Sequence, residues 1–289
     1  RRWGILFRSL FLGYLVMVLL VATDWGSGVF GDSEAEAFTA VVRISGSIGP
    51  DGDTTAEQTI ASLQAAFRHA GTRGVILHIN SPGGSPVHAS QINDAIIELR
   101  ARYPDLPLHA VADDMMTSAA YYVAVSADRI HVNPATMIGS IGVVYSGFGL
   151  DGLMQRLAID RRLYTAGTDK AMLDPFSPER EEDVAALRSP LDQIHAQFIA
   201  AVRLGRGDRL VVDDSLFSGR IWTGEEAVRL GLADGYGRLD QVAADVFDAP
   251  GLREFTPGEP WFDQWLGDRV PALLARLEAL VGLGTPALR

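Results

Sequence analysis

The sequence contains no cysteine. That excludes disulfides, thiolate metal sites and cysteine nucleophiles, and it leaves the redox compartment open. Lysine is almost absent too: Lys170 is the only one among the 25 Lys and Arg residues. The distinction is chemical, because a guanidinium is effectively always charged whereas an ammonium can be neutralised by burial. Positive charge is outweighed overall, with a formal net charge of −11, and this argues against general nucleic-acid binding. There is no HExxH and the 6 histidines are scattered, so no zinc site is indicated. The hydrolase elbow GxSxG is missing, as is any low-complexity tract or fixed-period repeat.

What is present begins with an apolar run. Residues Ile5 to Ala22 are interrupted only by Arg8, Ser9 and a few small residues, close to the ~17–20 residues that span a bilayer. Arg1, Arg2 and Arg8 precede most of it, and Asp24, Asp32, Glu34 and Glu36 follow. The positive-inside rule then puts the N-terminus in the cytoplasm and the rest of the chain outside. The expectation is an uncleaved anchor over 1–24 and a small, acidic linker over 25–37. A cleavable signal peptide is the alternative, although its apolar stretch is usually only ~7–15 residues.

Beyond the linker, short apolar strands alternate with helices, the pattern of an α/β fold. "FTAVVRISGSI" reads as a strand. "TAEQTIASLQAAFRHAG" has helical spacing at Ile60, Leu63, Ala66 and Phe67. "GVILHI" is a buried strand and "NSPGGS" a turn, followed by a helix from about Pro86 to Arg102. "LHAVA", "DRIHV", "GSIGVVY" and "DRRLYTA" read as strands, "SAAYYVAVSA" and "DGLMQRLAI" as helices. A long helical region covers roughly 178–204, interrupted by Pro190, and "GRIWTGEEAVRLGLADGYG" joins a strand to a Thr-capped helix. Trp261, Phe262, Trp265 and the leucines from 266 to 280 predict an amphipathic C-terminal helix that forms a packing or subunit face.

Three features converge on one chemistry. The glycines of "SPGGS" let backbone N–H groups approach a ligand, as an oxyanion requires; alone, the stretch is an ordinary turn. Ser118 stands where a polar loop enters a helix of small residues, and alone it reads as an N-cap. Lys170 becomes a base if burial neutralises it, and a neutral amine can take the proton of a serine hydroxyl. Ser140, in "MIGSIGVV", is a candidate to hold that amine.

In this order, "SPGGS", "TSAAYYVAVSADRIHVNPATMIGSIGVV", the lone Lys170 and "GRIWTGEEAVRLGLADGYG" resemble signal peptide peptidase A, over roughly residues 38–245. These are membrane-anchored bacterial serine peptidases on the Clp protease/crotonase fold, a spiral of ββα units. The resemblance implies Ser118 as nucleophile, Lys170 as general base and Ser140 as the serine that orients it. It also implies Gly83, Gly84 and the Ala119 N–H as oxyanion donors, although the family often has glycine where this chain has Ala119. Implied further are signal-peptide substrates left in the membrane, no cofactor, no metal, a homo-oligomeric ring whose subunits complete each other's sites, and a catalytic domain on the extracytoplasmic side of the bacterial inner membrane. The expected domains are the anchor, the linker, a peptidase domain over 38–245 and a helical extension over 246–289. The small, apolar tail at 283–289 is expected to reach an active site.

Other readings are kept beside this one. An inactive scaffold of the same fold would not need Ser118 and Lys170 together. A crotonase-like acyl-CoA enzyme shares the fold, but an outward-facing domain would not meet CoA. "GFGLDG" at 147–152 lies between a strand and a helix, as a dinucleotide loop does, but no second βαβ half follows. "GSGVFG" at 26–31 has no strand before it.

Overall fold

The computed structural model describes residues 37–211 and 213–256. The expected anchor, nearly all of the linker, the C-terminal helix and the tail lie outside them. Among the described residues no helix is long and apolar enough to cross a membrane.

The first half of the chain builds a parallel sheet. Strands β1 (Phe38–Ile48), β2 (Thr72–Gly84) and β3 (Leu108–Thr117) alternate with helices α1 (Ala56–Arg68) and α2 (Pro86–Arg102). The strands read as near-continuous apolar runs because a parallel sheet is covered on both faces. Ala40, Val42 and Ile44 of β1, Val75, Leu77 and Ile79 of β2 and Ala110 of β3 are fully buried and share one core with both helices. α1 starts where the Thr55 side chain accepts from the Gln58 N–H, and it buries Leu63, Ala66 and Phe67 on one face. α2 starts at Ser85 with Pro86 in its first turn, where the missing N–H costs nothing.

After β3 come the short helix α3 (Ala119–Ala124), β4 (Arg129–Val132), β5 (Met137–Gly139), α4 (Asp151–Arg156) and α5 (Glu181–Arg206). β6 (Ile221–Thr223), α6 (Gly224–Arg229), β7 (Gly235–Tyr236), α7 (Leu239–Asp245) and β8 (Leu252–Glu254) complete the described chain. Together they make an α/β fold around an 8-stranded sheet of order β6-β5-β3-β2-β1-β8, with β4 pairing β3 and β7 off that path. Only β5 with β6 is antiparallel. β3 serves two neighbours along its length: His109 to Val111 pair with β4, and Met115 to Thr117 pair with β5. On the second face Val242, Ala243 and Phe247 pack against Ile76 and Val111.

The structure departs from the sequence expectations in five places. In the expected helical extension over 246–289, Leu252–Glu254 are not helix but strand β8, paired with β1 in the same sheet. "SPGGS" is not a free turn: β2 runs through Gly84, pairing with Ser47 and Ile48 after a register shift. The strand expected over 139–145 stops at Gly139, because Ser140 takes a φ of 53° that an extended strand cannot continue. No strand forms over 160–166; these residues are exposed, with no neighbour to complete a ladder. Nor does Pro190 interrupt α5, which runs through it. Ala186, whose carbonyl loses its donor, is exposed, so water replaces the missing bond.

α5 is the second wall of the site, and its end is fixed firmly. Arg206 is buried and donates to the Gly231 carbonyl at 2.8 Å and to Asp234 at 2.7 Å. Further back, Phe198 packs on Tyr122, with ring centroids 4.9 Å apart.

Candidate active site

Ser118 joins β3 to α3. Its φ of 53° and ψ of −125° fall outside the regions open to ordinary residues, and its side chain makes no capping bond. The N-cap role is therefore not what holds a serine here. Its own N–H donates to the Gly139 carbonyl at 2.8 Å. Buried Thr117, just before it, donates its hydroxyl to the Pro82 carbonyl at 2.9 Å. Strain held by surrounding bonds is a signature of functional positions.

Gly83 lies against this serine. A β-carbon on Gly83 would stand 2.7 Å from the Ser118 β-carbon and 2.9 Å from the Ala119 nitrogen, and Gly83 itself has a φ of 108°. Only glycine fits there. Its N–H, however, donates to the Ser81 hydroxyl at 3.1 Å. Of the two expected glycine donors, Gly84 is the one that lines the open cleft.

Ser118, Ala119, Ser140 and Gly84 face one cleft of about 810 Å³. Ser140 repeats the unusual φ of 53°, and its N–H donates to the Arg220 carbonyl at 2.8 Å. The other wall comes from α5, with Leu191, Ile194, His195 and Phe198. Val87 and Tyr122 add apolar surface. Burial, and then the nearby charge of Asp94, raise the Tyr122 phenol above its ordinary range, so it stays neutral. The charged or titratable side chains that complete the lining are Arg188, Asp192 and His195.

Lys170 is not brought to this cleft within one chain. It is exposed, on the turns that follow Gly167, and does not line the cavity that Ser118 faces. The burial expected of it is thus not met in the isolated chain. The segment before it is unusually apolar for an exposed stretch: Val144 and Phe148 are each 85% accessible and Tyr164 is 91%.

A second cavity of about 930 Å³ lies between residues 145–151 and the first half of α5, and Arg188 and Leu191 line both cavities. "GFGLDG" borders it. Asp151, Asp174, Glu179 and Asp183 border it as well, and such carboxylates oppose a dinucleotide phosphate. No cluster of residues among those described could hold a metal ion.

The family model for peptidase family S49 matches residues 100–252, which include Ser118, Ser140 and Lys170. The chain belongs to peptidase family S49. Among S49-related proteins, one from Enterococcus faecium, provisionally named signal peptide peptidase SppA, is 28% identical over 217 residues, 73% of this chain and 62% of its own length. Protease 4 of Salmonella typhi is 28% identical over 216 residues, 73% of this chain and 32% of its own length. A Brucella melitensis protein named Na(+)/H(+) antiporter NhaA is 38% identical over 204 residues, 69% of this chain. Those residues are 28% of the Brucella protein, so its name carries nothing to this S49 chain. The chain thus spans from about a quarter to three-fifths of the length of these relatives.

The α5 wall was not legible as part of the site. Leu191, Ile194 and Phe198 recur at helical spacing, which in a sequence signals packing, and His195 among them was one more scattered histidine.

Proposed function

We propose that this S49 member is a serine endopeptidase of the signal peptide peptidase type, with Ser118 as nucleophile and Lys170 as general base, on a Clp protease/crotonase-like fold. The Ser118 Oγ attacks the scissile carbonyl carbon, and its proton passes to the Lys170 amine. The C–N bond breaks as that proton moves to the leaving amine, and water releases the acyl group by the same route. The Gly84 and Ala119 N–H groups receive the oxyanion. No cofactor takes part. The observation that carries the reading is the strained backbone of Ser118, held against a glycine that tolerates no side chain and open to a cleft with apolar walls.

The base is proposed to come from a second copy of the chain. Lys170 is exposed, and it follows an exposed apolar stretch that includes Phe148 and Tyr164; a surface of this kind favours a protein partner. In a homo-oligomeric ring the stretch is covered and each Lys170 meets the Ser118 of its neighbour, where Ser140 orients the amine. The N-terminal residues anchor the assembly in the bacterial inner membrane, with the catalytic domains outside and remnant signal peptides as substrates.

The test is cleavage of a synthetic signal peptide, with fluorophosphonate labelling of Ser118 as the second readout. Wild type should cleave and label, and Ser118→Ala should do neither. Wild type that binds the peptide but neither labels nor cleaves would favour an inactive scaffold.

A further inference from the structure

His195 faces the Ser118 cleft from α5, and nothing in the proposed chemistry uses it. Its Nε2 lies 3.1 Å from the carbonyl oxygen of Ile141. A carbonyl only accepts, so Nε2 carries the proton and donates. Ile141 is fully buried and directly follows Ser140.

This contact stands at the point where the chain leaves the sheet. Gly139 is the last residue of β5, and the Ser140 N–H is tied to Arg220. The His195 bond fixes the next carbonyl. From there Gly142, Val143 and Val144 run along the cleft. Residues 142–149 make no backbone–backbone hydrogen bond among the described residues. Their donors and acceptors are therefore served by water in the free chain. Such a stretch is what an extended peptide pairs with when it binds as an added strand.

We infer that His195 is a positioning residue for peptide binding: by donating to Ile141 it sets the place at which the backbone of 142–144 meets the substrate backbone. The inference rests on the peptidase reading for its choice of substrate but not on the identity of the base. It separates two steps. Substrate affinity depends on His195, whereas the attack by Ser118 does not.

The experiment uses the full chain, an apolar fluorogenic peptide and His195 variants. His195→Leu removes the donor. His195→Gln keeps an N–H donor at similar reach. For His195→Leu, KM should rise about 5–10-fold, the size of one lost hydrogen bond. Its kcat and its rate of labelling by a small fluorophosphonate should stay within about 3-fold of wild type, because neither depends on a single positioning bond of this size. His195→Gln should recover most of the KM. If His195→Leu does not fold, His195→Glu, an acceptor of the same shape as glutamine, replaces it and should raise KM in the same way. Binding of a fluorescent peptide to Ser118→Ala protein, with and without the His195 change, reads the same loss without catalysis. An unchanged KM and peptide affinity in His195→Leu or His195→Glu would overturn the inference. So would loss of Ser118 labelling in His195→Gln, which would make His195 a base. Wild type that binds peptide through His195 yet never labels would instead remove the peptidase reading and leave the positioning role standing.

Discussion

The N–H of Ser118 donates to the carbonyl of Gly139, so the proposed nucleophile is fastened to the residue immediately before Ser140. The two serines are thereby coupled through one peptide unit rather than placed independently. Gly139 has a φ of 103°, and a β-carbon on it would stand 2.9 Å from both the Arg220 carbonyl oxygen and the Trp222 ring. Gly139→Ala should therefore act on both serines together. It should lower kcat/KM at least 10-fold and cost about 1–3 kcal/mol of stability, since an alanine is strained at positive φ. Kinetics with thermal unfolding check this, and full activity would show that the link is not needed.

Gly83→Ala should be more severe for activity than for folding. The added methyl meets the Ser118 side chain and the Ala119 nitrogen directly. The expected result is a loss of more than 100-fold in kcat/KM, the size of one lost oxyanion donor, because the methyl displaces the Ala119 N–H, in a protein that still unfolds cooperatively. Fluorophosphonate labelling measured beside circular dichroism separates the two effects.

Lys170→Arg should be as inactive as Lys170→Ala, because arginine keeps the charge but cannot give up its proton. If neighbouring copies complete each other's sites, then mixing inactive Ser118→Ala chains with inactive Lys170→Ala chains should restore activity. About one quarter of wild type is the ceiling expected of random pairing between neighbours. Complementation that never appears, in a mixture shown to co-assemble, would place the base within one chain.

Acid should destabilise the fold through a histidine remote from the cleft. His109 is buried, and its Nδ1 lies 3.0 Å from the Nε2 of His131. Burial, and then the charge of His131, lower the His109 pKa to about 4. The unfolded chain, with a histidine pKa near 6.5, binds the proton first. The neutral, buried state therefore contributes its full stability above about pH 6.5 and loses it progressively as the pH falls to about 4. The loss is of order 3 kcal/mol. His109→Gln should flatten the dependence of the urea midpoint on pH across that window. An equally steep dependence in the variant would assign it to another group.

The Arg206–Asp234 pair tests what holds the far end of α5. Burial alone would raise the Asp234 pKa, but the hydrogen bond and charge of Arg206, the Ile130 N–H and Arg209 bring it down to about 2. The ionised pair is thus present above about pH 4 and is lost as pH falls towards 2. Asp234→Asn should cost about 3–5 kcal/mol because it leaves buried Arg206 without its counter-charge. Chemical denaturation at neutral pH measures the cost.

Much of the fold was readable because its signals are local. Phe38–Ile48 and Pro86–Arg102 fall where the apolar runs and the turn before Pro86 put them. The Thr cap likewise marked α6, which the structure starts at Thr223 with a capping box to Glu226. The residues proposed for the site were legible by motif, and four of them do share a cleft. The remainder depended on tertiary contacts. Nothing in "SPGGS" reveals that β2 runs on through Gly84 to pair with the end of β1. The placement of Lys170 was hidden for another reason: its burial was expected from the chemistry of a lone lysine, and the sequence around it, Thr168, Asp169 and Ala171, does not say whether the segment packs on its own chain.

β8 is only three residues long, yet it pairs with Thr39, Ala40 and Val41, along what would otherwise be a bare sheet margin. The partners are more than 200 positions apart in sequence, so closing this margin has to wait until nearly all of the chain is available. During synthesis β1 is made first and shielded last, and an unshielded strand of this apolar character invites pairing with other chains. The edge therefore makes folding yield sensitive to where the chain is cut: residues 38–250 alone, which keep Phe247 and Ala249 of the second-face core, should collect in inclusion bodies where residues 38–256 stay in solution.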